Sequence, residues 1–225
     1  MENSALIPAS ILVYLFADQF SEPAKGLTIQ GAIAPRTGTK LNAKPLVLNL
    51  YLAAIMELME AGIVRLEAVE LKKFLGKETA LTLTFLREPG ERISGLAWQI
   101  VQSLQAAKTP EQRRVREVVI RVIGGRSSTY YPWLVALSWS IGEAEAKGFI
   151  QRPQEKPNVL KAMFNPTESL TRATAIGDCV TQVESDLALV KSRLAAYELS
   201  LGTNAPLLRK EIEKGIDECT QRSND

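Results

Sequence analysis

The residues best suited to bind a ligand begin with a turn of small hydrogen-bond donors, Gly124-Gly125-Arg126-Ser127-Ser128-Thr129. The turn precedes an apolar run that predicts a helix, and backbone N–H groups at a helix N-terminus hold anions well. It lacks the Gly-Lys-Ser/Thr ending of a P-loop, so it does not predict a nucleotide site. We expect either an anion site using Arg126, Ser127 and Ser128 or a plain helix connection.

Basic side chains near this turn and in one other place are further candidates. The densest stretch contains Arg113, Arg114, Arg116, Arg121 and Arg126, diluted by two glutamates. It predicts either a solvated helix surface or a surface that binds an anion or phosphate. Lysines also cluster at the expected tip of a β-hairpin, where they either contact phosphates or keep the hairpin end soluble. The headgroup candidates there are Lys72 and Lys73.

Aromatic residues follow the turn directly. Tyr130, Tyr131 and Trp133 are candidates for a membrane interface, where amphipathic rings are enriched, and core packing is the alternative. Trp133 and Trp139 are six residues apart, so on a helix one should be buried and the other near the surface. We expect Trp98 to lie in the core.

Histidine is absent from the 225 residues, and this excludes several classes of catalytic site. Serine and cysteine hydrolases of the triad type and His-Glu-x-x-His metalloproteases all require an imidazole. Cys179 and Cys219 cannot form a four-ligand zinc site without histidine. No acidic pair stands out from the expected helix surfaces. We therefore expect no catalytic site, no metal and no cofactor, and we predict that the protein is not an enzyme.

Composition and charge indicate a folded intracellular chain. Hydrophobic residues make up 46% of the sequence and charged residues 23%, and the net charge of +2 is too small to predict nucleic-acid binding. Two cysteines favour a reducing compartment, and the acidic start does not fit a signal peptide. No stretch reaches the roughly 18 apolar residues of a membrane span. The predicted location is the cytoplasm, including the cytosolic face of a membrane.

Helices must position most of these candidates, because helical periodicity dominates the chain. A strong helix is predicted from Pro45 to Ala61, opened by proline and closed by Gly62. The pattern Thr109-Pro110-Glu111-Gln112 is a capping box that begins another helix, which continues to Gly124. The other predicted helices cover residues 4–17, 91–107, 131–147, 178–200 and 205–221.

A β-hairpin interrupts the helices after Gly62. Apolar and polar residues alternate over residues 64–68 and 81–85, with a lysine-rich link, residues 71–77, between them. Residues 57–63 and 143–150 also resemble each other, since each is a helix end capped by glycine before a hydrophobic extension. The predicted fold is mainly α with one or more β-hairpins, a compact helical domain with winged-helix-like helix-hairpin elements. It spans residues 1–170, and a C-terminal helical segment, residues 171–225, packs on it.

The C-terminal segment has an apolar stripe that repeats every three or four residues. Its members are Ile176, Val180, Val183, Leu187, Val190, Leu194, Tyr197 and Leu201. The stripe predicts either an amphipathic helix packed on the body or a self-association helix. In the second case a protein partner or a second copy would contact residues 178–201, with Val183, Leu187, Val190 and Leu194 as the contact residues.

Residues 52–68, Leu-Ala-Ala-Ile-Met-Glu-Leu-Met-Glu-Ala-Gly-Ile-Val-Arg-Leu-Glu-Ala, resemble one segment of the Golgi phosphoprotein 3-like family. That segment has a helix, Glu-Leu, Gly and then Arg-Leu-x-Leu. The flanking parts are also similar in order: an apolar helix and acidic loop before it, and a Pro89-Gly90 turn after it. The resemblance covers residues 4–152.

The resemblance implies a mainly helical fold with hairpins and a headgroup-binding function. Eukaryotic members bind a phosphorylated inositol headgroup at the cytosolic membrane surface, and they also bind cytosolic tails of membrane enzymes. Their pocket uses a tryptophan and several arginines. In this chain the arginine positions hold Tyr51, Leu134 and Leu137, and the loop tryptophan has no counterpart between Ala17 and Lys44.

The predicted function is therefore a non-catalytic binding protein that resembles this family and associates with anionic membranes through lipid headgroups. One alternative is a winged-helix-like nucleic-acid binder, which needs a concentrated basic face that the small net charge disfavours. The other alternative is a self-assembling scaffold or protein-partner adaptor that works through the C-terminal helix.

Overall fold

Seven α-helices and three antiparallel strand pairs form the part of the chain that this computed structural model describes, residues 7–25, 31–73, 76–90, 93–153, 171–176 and 184–220. The helices are α1 (Ala9–Leu15), α2 (Ala43–Glu60), α3 (Gly95–Gln105), α4 (Val115–Ile123), α5 (Pro132–Ala146), α6 (Glu184–Leu201) and α7 (Asn204–Cys219). Strand β1 (Gly31–Ile33) pairs with β2 (Lys40–Asn42), β3 (Val64–Lys73) with β4 (Gly76–Phe85), and β5 (Ile150–Gln151) with β6 (Thr174–Ala175). The prediction of a mainly helical fold with hairpins is confirmed.

The hydrophobic core is centred on helices α1 and α2, which are apolar on most sides. Every residue of α1 is buried. Much of α2 is buried as well, including the large side chains of Tyr51 and Met56. A helix that is hydrophobic all round belongs inside a protein. Helices α3, α5, α6 and α7 accordingly pack against α2.

Helix α2 begins slightly before the predicted proline. The Asn42 side chain caps the helix, because its Oδ1 accepts a hydrogen bond from the N–H of Lys44 at 3.2 Å. Pro45 is therefore still in the first turn, where a missing N–H costs no helical hydrogen bond. The described ends of the other helices differ from the predictions by a few residues, and α3 begins at Gly95, after its capping residue Ser94, rather than at residue 91. The predicted helix starts at residues 4 and 178 and the predicted end at residue 221 lie outside the described residues.

The ends of α2 and α5 share one backbone pattern, which confirms the resemblance seen in the sequence. In each, the glycine N–H reaches the carbonyl three residues earlier and the next N–H reaches the carbonyl five residues earlier, at 2.8 to 2.9 Å. Gly62 and Gly148 adopt φ values of +66° and +75°, as this type of helix end requires. Each helix then continues into a strand, β3 or β5.

The β3–β4 hairpin is longer than predicted. Its register begins with Val64 opposite Phe85 and ends with Lys73 opposite Gly76. The predicted link, residues 71–77, therefore belongs to the strands, except for residues 74 and 75, which lie outside the described residues. The prediction was wrong because the hydrogen bonds that pair two strands join backbone groups, so lysine residues do not interrupt them.

The helix predicted from Thr109 is interrupted at Arg114. A 3-10 turn, Glu111–Arg113, comes first, and Arg114 is extended with φ −59° and ψ 140°. Arg114 forms an isolated antiparallel bridge with Thr82 of β4. Half of the predicted capping box is present, since Gln112 accepts two backbone N–H bonds at 2.7 and 3.4 Å. Contact with the hairpin, which local sequence does not encode, decides where α4 begins.

Helices α6 and α7 lie on the same core. Leu187, Val190 and Leu194 of α6 pack against the body, and Val190 is 1% exposed. Helix α7 lies closely against α4 at Gly215, where an added Cβ would lie 2.9 Å from side-chain atoms of Val119. The stripe therefore packs on the body as far as the structure describes it.

Candidate functional site

The predicted anion turn, residues 124–129, uses several of its backbone donors inside the protein. Gly124 and Gly125 adopt φ values of +114° and +119°, and their N–H groups bind a carbonyl in the last turn of α4 at 3.1 and 2.8 Å. The N–H groups of Ser127 and Thr129 donate to carbonyls in the last turn of α7, at 2.8 and 3.1 Å. An anion would need these donors. In this structure the Ser127 and Thr129 N–H groups bind the end of α7 instead.

The Arg126 guanidinium lies between two carboxylates. It contacts Glu117 and also Glu218, the latter at 3.1 Å, and Arg116 contacts the same Glu218 at 3.3 Å. Burial opposes the charge of Arg126, but hydrogen bonds and charge from the two carboxylates outweigh it and raise the pKa of the guanidinium. The two arginines and two glutamates offset each other, which leaves little positive charge for an anion.

The other basic residues of this stretch also make internal contacts. Arg114 is largely buried and lies 3.7 Å from Glu78 of the hairpin and 3.7 Å from Glu211 of α7. Arg121 donates from Nε to Ser103 Oγ at 3.0 Å. Arg114, Arg116 and Arg121 therefore fasten α4 to its neighbours, whereas Arg113 is exposed, and the phosphate contacts stay a prediction.

The aromatic candidates are divided between the core and the surface. The rings of Tyr131 and Trp133 meet edge to face, with centroids 6.0 Å apart. Trp133 is 5% exposed, whereas Tyr130 is 57% exposed and Trp139 is 39% exposed, so the prediction for the two tryptophans of α5 is confirmed. The prediction for Trp98 is wrong, since it is 43% exposed. Smaller apolar residues fill the inward face of α3 and turn Trp98 outward.

Three remaining candidates cannot be placed by their side chains. Lys72 and Lys73 belong to β3, but their side chains lie outside the described residues, as does Val183. Their proposed contacts remain predictions. Two of the three positions where the family resemblance places pocket arginines lie inside the protein, since Tyr51 and Leu137 are fully buried, and the third, Leu134, is half-buried.

Two glutamates that are not among the predicted candidates meet at the start of α3. Glu57 Oε1 accepts the N–H of Ser94 at 2.7 Å, and the Glu143 carboxylate accepts the N–H of Gly95. Burial raises the pKa of Glu57 to about 7 and also raises that of Glu143. Glu57 Oε2 is buried without a hydrogen-bond partner. The repeated helix ends were the available signal, because the two glutamates occupy matching positions in them.

A cleft of about 430 Å³ opens beside the loop between β1 and β2. Ligand sites commonly have volumes of about 300 to 1,000 Å³. The cleft combines two guanidinium groups and two hydroxyls, with no acidic residue in its described lining. The lining consists of Ile33, Pro35, Arg36, Thr37, Gly38, Arg172, Ala173 and Thr174.

Backbone contacts hold the two sides of this cleft together. The N–H of Ala175 donates to the carbonyl of Pro35 at 2.8 Å. The N–H of Ile33 donates to Oγ1 of the buried Thr171 at 3.3 Å. Gly38 turns the loop with a φ of +67°. The β1–β2 loop and the segment before β6 are therefore held against each other, and they form the two walls of the cleft.

The two arginines of the cleft lie in different environments. The guanidinium carbon of Arg36 lies 4.4 Å from the ring centroid of Phe16, a cation–π contact that orients the side chain. Arg172 is exposed. No sequence pattern marks either arginine, because Arg36 stands in a loop and Arg172 in a segment without periodicity, far from Arg36 in sequence. The Pro35-Arg36-Thr37-Gly38 turn was the only local signal.

A smaller cleft of about 250 Å³ lies between the hairpin and the 3-10 turn. Its lining includes Glu67 and Glu111 together with Arg113 and Arg114. Charges of both signs face this space, so it favours no single class of ionic ligand.

Within the described ranges, no group of three or more His, Cys, Asp or Glu side chains could hold a metal ion. None of the described helices combines the length and apolar character that crossing a membrane requires. The chain matches no protein-family model, and comparison with curated proteins and with solved structures gave no match.

Proposed function

We propose that this chain is a non-catalytic binding protein that holds a phosphorylated headgroup of an anionic membrane in the cleft between Arg36 and Arg172. The observation that carries the proposal is the pair of guanidinium groups on a cleft whose described lining has no acidic residue. Arginine binds phosphate with two parallel hydrogen bonds, and these charge-assisted bonds are stronger than neutral ones. The hydroxyls of Thr37 and Thr174 add donors.

The lining favours binding over catalysis. General acid–base catalysis needs a group that exchanges a proton near neutral pH, such as imidazole or a perturbed carboxyl. The described lining of the cleft offers guanidinium, hydroxyl and apolar groups instead. Glu57 has such a pKa, but it is engaged at the start of α3.

A membrane is the proposed source of the phosphate, at the cytosolic face. Arg172 is exposed, so a group presented by a surface can reach it. The resemblance to the Golgi phosphoprotein 3-like family supports the same chemistry. In this chain the cleft would bind the phosphate at a different place from the family's pocket, since Tyr51 and Leu137 occupy two of the family's arginine positions inside the core.

The test is co-sedimentation with vesicles of phosphatidylcholine, alone or with a phosphatidylinositol phosphate, at low and moderate salt. We expect binding only to the charged vesicles and weaker binding at moderate salt, because salt screens exposed charges. The double variant Arg36→Gln/Arg172→Gln should lose at least about ten-fold in affinity, as expected when hydrogen bonds to a charged group are removed.

The matched control is Arg65→Gln/Arg113→Gln, which removes the same charge from exposed arginines outside the cleft. Equal loss in both double variants would show attraction by net charge alone and would refute the cleft. Titration with a soluble inositol phosphate separates the two sources of phosphate. Binding of that compound without vesicle binding would overturn the membrane assignment, and binding of neither would overturn the proposed function.

A further inference from the structure

Helix α6 has a second apolar stripe, on the side away from the body. Leu189, Ser192, Ala196 and Leu199 follow one another at spacings of three, four and three residues. At about 100° per residue they fall within about 80° of the helix circumference, roughly opposite the packed stripe of Leu187, Val190 and Leu194. This outward stripe differs from the one that the sequence predicted for self-association.

The outward stripe is exposed and uncharged. Leu189 is 45% exposed and Leu199 is 81% exposed, the highest value among the large hydrophobic residues that are exposed in the described chain. Ser192 and Ala196 between them are exposed too. Among residues 187–200 of α6, those that face outward are all uncharged: Ala188, Leu189, Ser192, Ala195, Ala196, Leu199 and Ser200.

Within residues 189–199, the charges at the two borders of this face already have partners in the same chain. Arg193, on one border, forms an ion pair with Glu60 of α2. Lys191, on the other, donates to Gln19 Oε1 at 2.9 Å and lies 5.9 Å from the ring of Phe20. A helix that covers the outward stripe would therefore leave neither of these charges buried without a partner. This matters because burying an unpaired charge is costly.

The side-chain sizes along the outward stripe are the same when read in either direction, and this symmetry indicates which occupant fits the stripe. Reading Leu, Ser, Ala, Leu in either direction gives large, small, small, large around the position of Leu194. A two-fold axis across the helix would place Leu189 against Leu199 of a second copy, and Ser192 against Ala196. A two-fold interface requires a self-complementary surface of this kind. Antiparallel helices also place opposite dipole ends together.

We infer that two copies of this chain associate through antiparallel pairing of their α6 helices along the outward stripe. The paired stretch is about 15 Å long at roughly 1.5 Å per residue. Interfaces much smaller than about 1,200 Å² are generally weak. The dimer is therefore a reversible one, formed at micromolar or higher protein concentrations, and it forms independently of the cleft at Arg36.

Sedimentation velocity over a wide concentration range tests the association. The mass should rise from 24.7 kDa toward twice that value as concentration increases. Leu199→Glu should weaken association at least about ten-fold, because it places a carboxylate against an apolar partner residue. Leu86→Glu is the control, since Leu86 is also exposed, at 49%, but lies outside α6. A monomer at every concentration overturns the inference, and so does equal weakening by both variants.

Disulfide cross-linking tests the antiparallel arrangement. Leu189→Cys and Leu199→Cys are prepared separately with Cys179→Ser, and Cys219 remains because it is buried. A mixture of the two proteins should form a cross-linked dimer under mild oxidation, whereas each protein alone should not. Cross-linking of either protein alone would indicate parallel helices and would overturn the proposed geometry. Circular dichroism checks that each variant keeps its helical content.

Discussion

Replacing Glu57 by glutamine should make the protein more stable above neutral pH. Glu57 Oε1 accepts the N–H of Ser94 at 2.7 Å, and Oε2 is buried without a partner. Burial raises the pKa of this carboxyl from an ordinary value of 4.5 to about 7, and the nearby charge of Glu143 adds to the effect. Glutamine keeps the acceptor and the shape but carries no charge.

The sign of this pH effect follows from which state of the protein, folded or unfolded, binds the Glu57 proton more tightly. The folded state binds the Glu57 proton more strongly than the unfolded state, so this group favours folding fully below about pH 4.5. That contribution is lost as pH rises through about 7. The difference between the folded and unfolded pKa values corresponds to roughly 2 to 3 kcal/mol of unfolding free energy, allowing for the partial exposure of the side chain.

Urea unfolding of wild type and Glu57→Gln at several pH values from about 5 to 8 measures this effect. The free energy of unfolding should be similar for the two proteins near pH 5, and the variant should be more stable by roughly 2 kcal/mol near pH 8. Glu22→Gln is the control, because Glu22 is exposed. Parallel pH profiles for wild type and Glu57→Gln would refute the reasoning, as would a less stable variant at pH 8.

Two further predictions concern the docking of α7. Gly215→Ala should lower the free energy of unfolding by roughly 1 to 3 kcal/mol, because its Cβ would lie 2.9 Å from an α4 side chain. Gly142→Ala should raise it by roughly 0.5 to 1 kcal/mol, since nothing lies within 4 Å. Arg114→Met should cost roughly 3 kcal/mol by leaving the buried Glu211 without its cation, whereas Arg113→Met should cost little. Thermal and urea unfolding measure all four, and equal effects within either pair would contradict these assignments.

The sequence predicted the elements that depend on neighbouring residues. Helix α2 was found within two residues at its start, from its apolar period and the Gly62 that ends it. The alternation around Val64 and Phe85 predicted the paired strands. The similar ends of α2 and α5 were also visible, because the hydrogen bonds that close such an end join residues three to five apart.

The candidate site was not predictable in the same way. The sequence correctly predicted a turn at residues 124–129. In the folded chain, however, its Ser127 and Thr129 N–H groups donate to the carbonyls of Glu218 and Cys219. Arg126 was singled out for its charge, and Glu117 and Glu218 offset that charge. No local pattern reveals such partners, because Glu218 lies on a helix 92 residues away in sequence, and the approach of Glu117, nine residues away, depends on how the turn folds.

The sequence by itself determined the mainly helical fold, the hairpin and the lack of imidazole chemistry, since these follow from composition, periodicity and local hydrogen bonding. Tertiary structure alone decided which charged groups meet. It placed carboxylates beside Arg114, Arg116 and Arg126. It also brought Arg36 and Arg172 to one cleft. The physical reason is that electrostatic contacts depend on distances of a few ångströms, and packing of residues remote in sequence sets those distances.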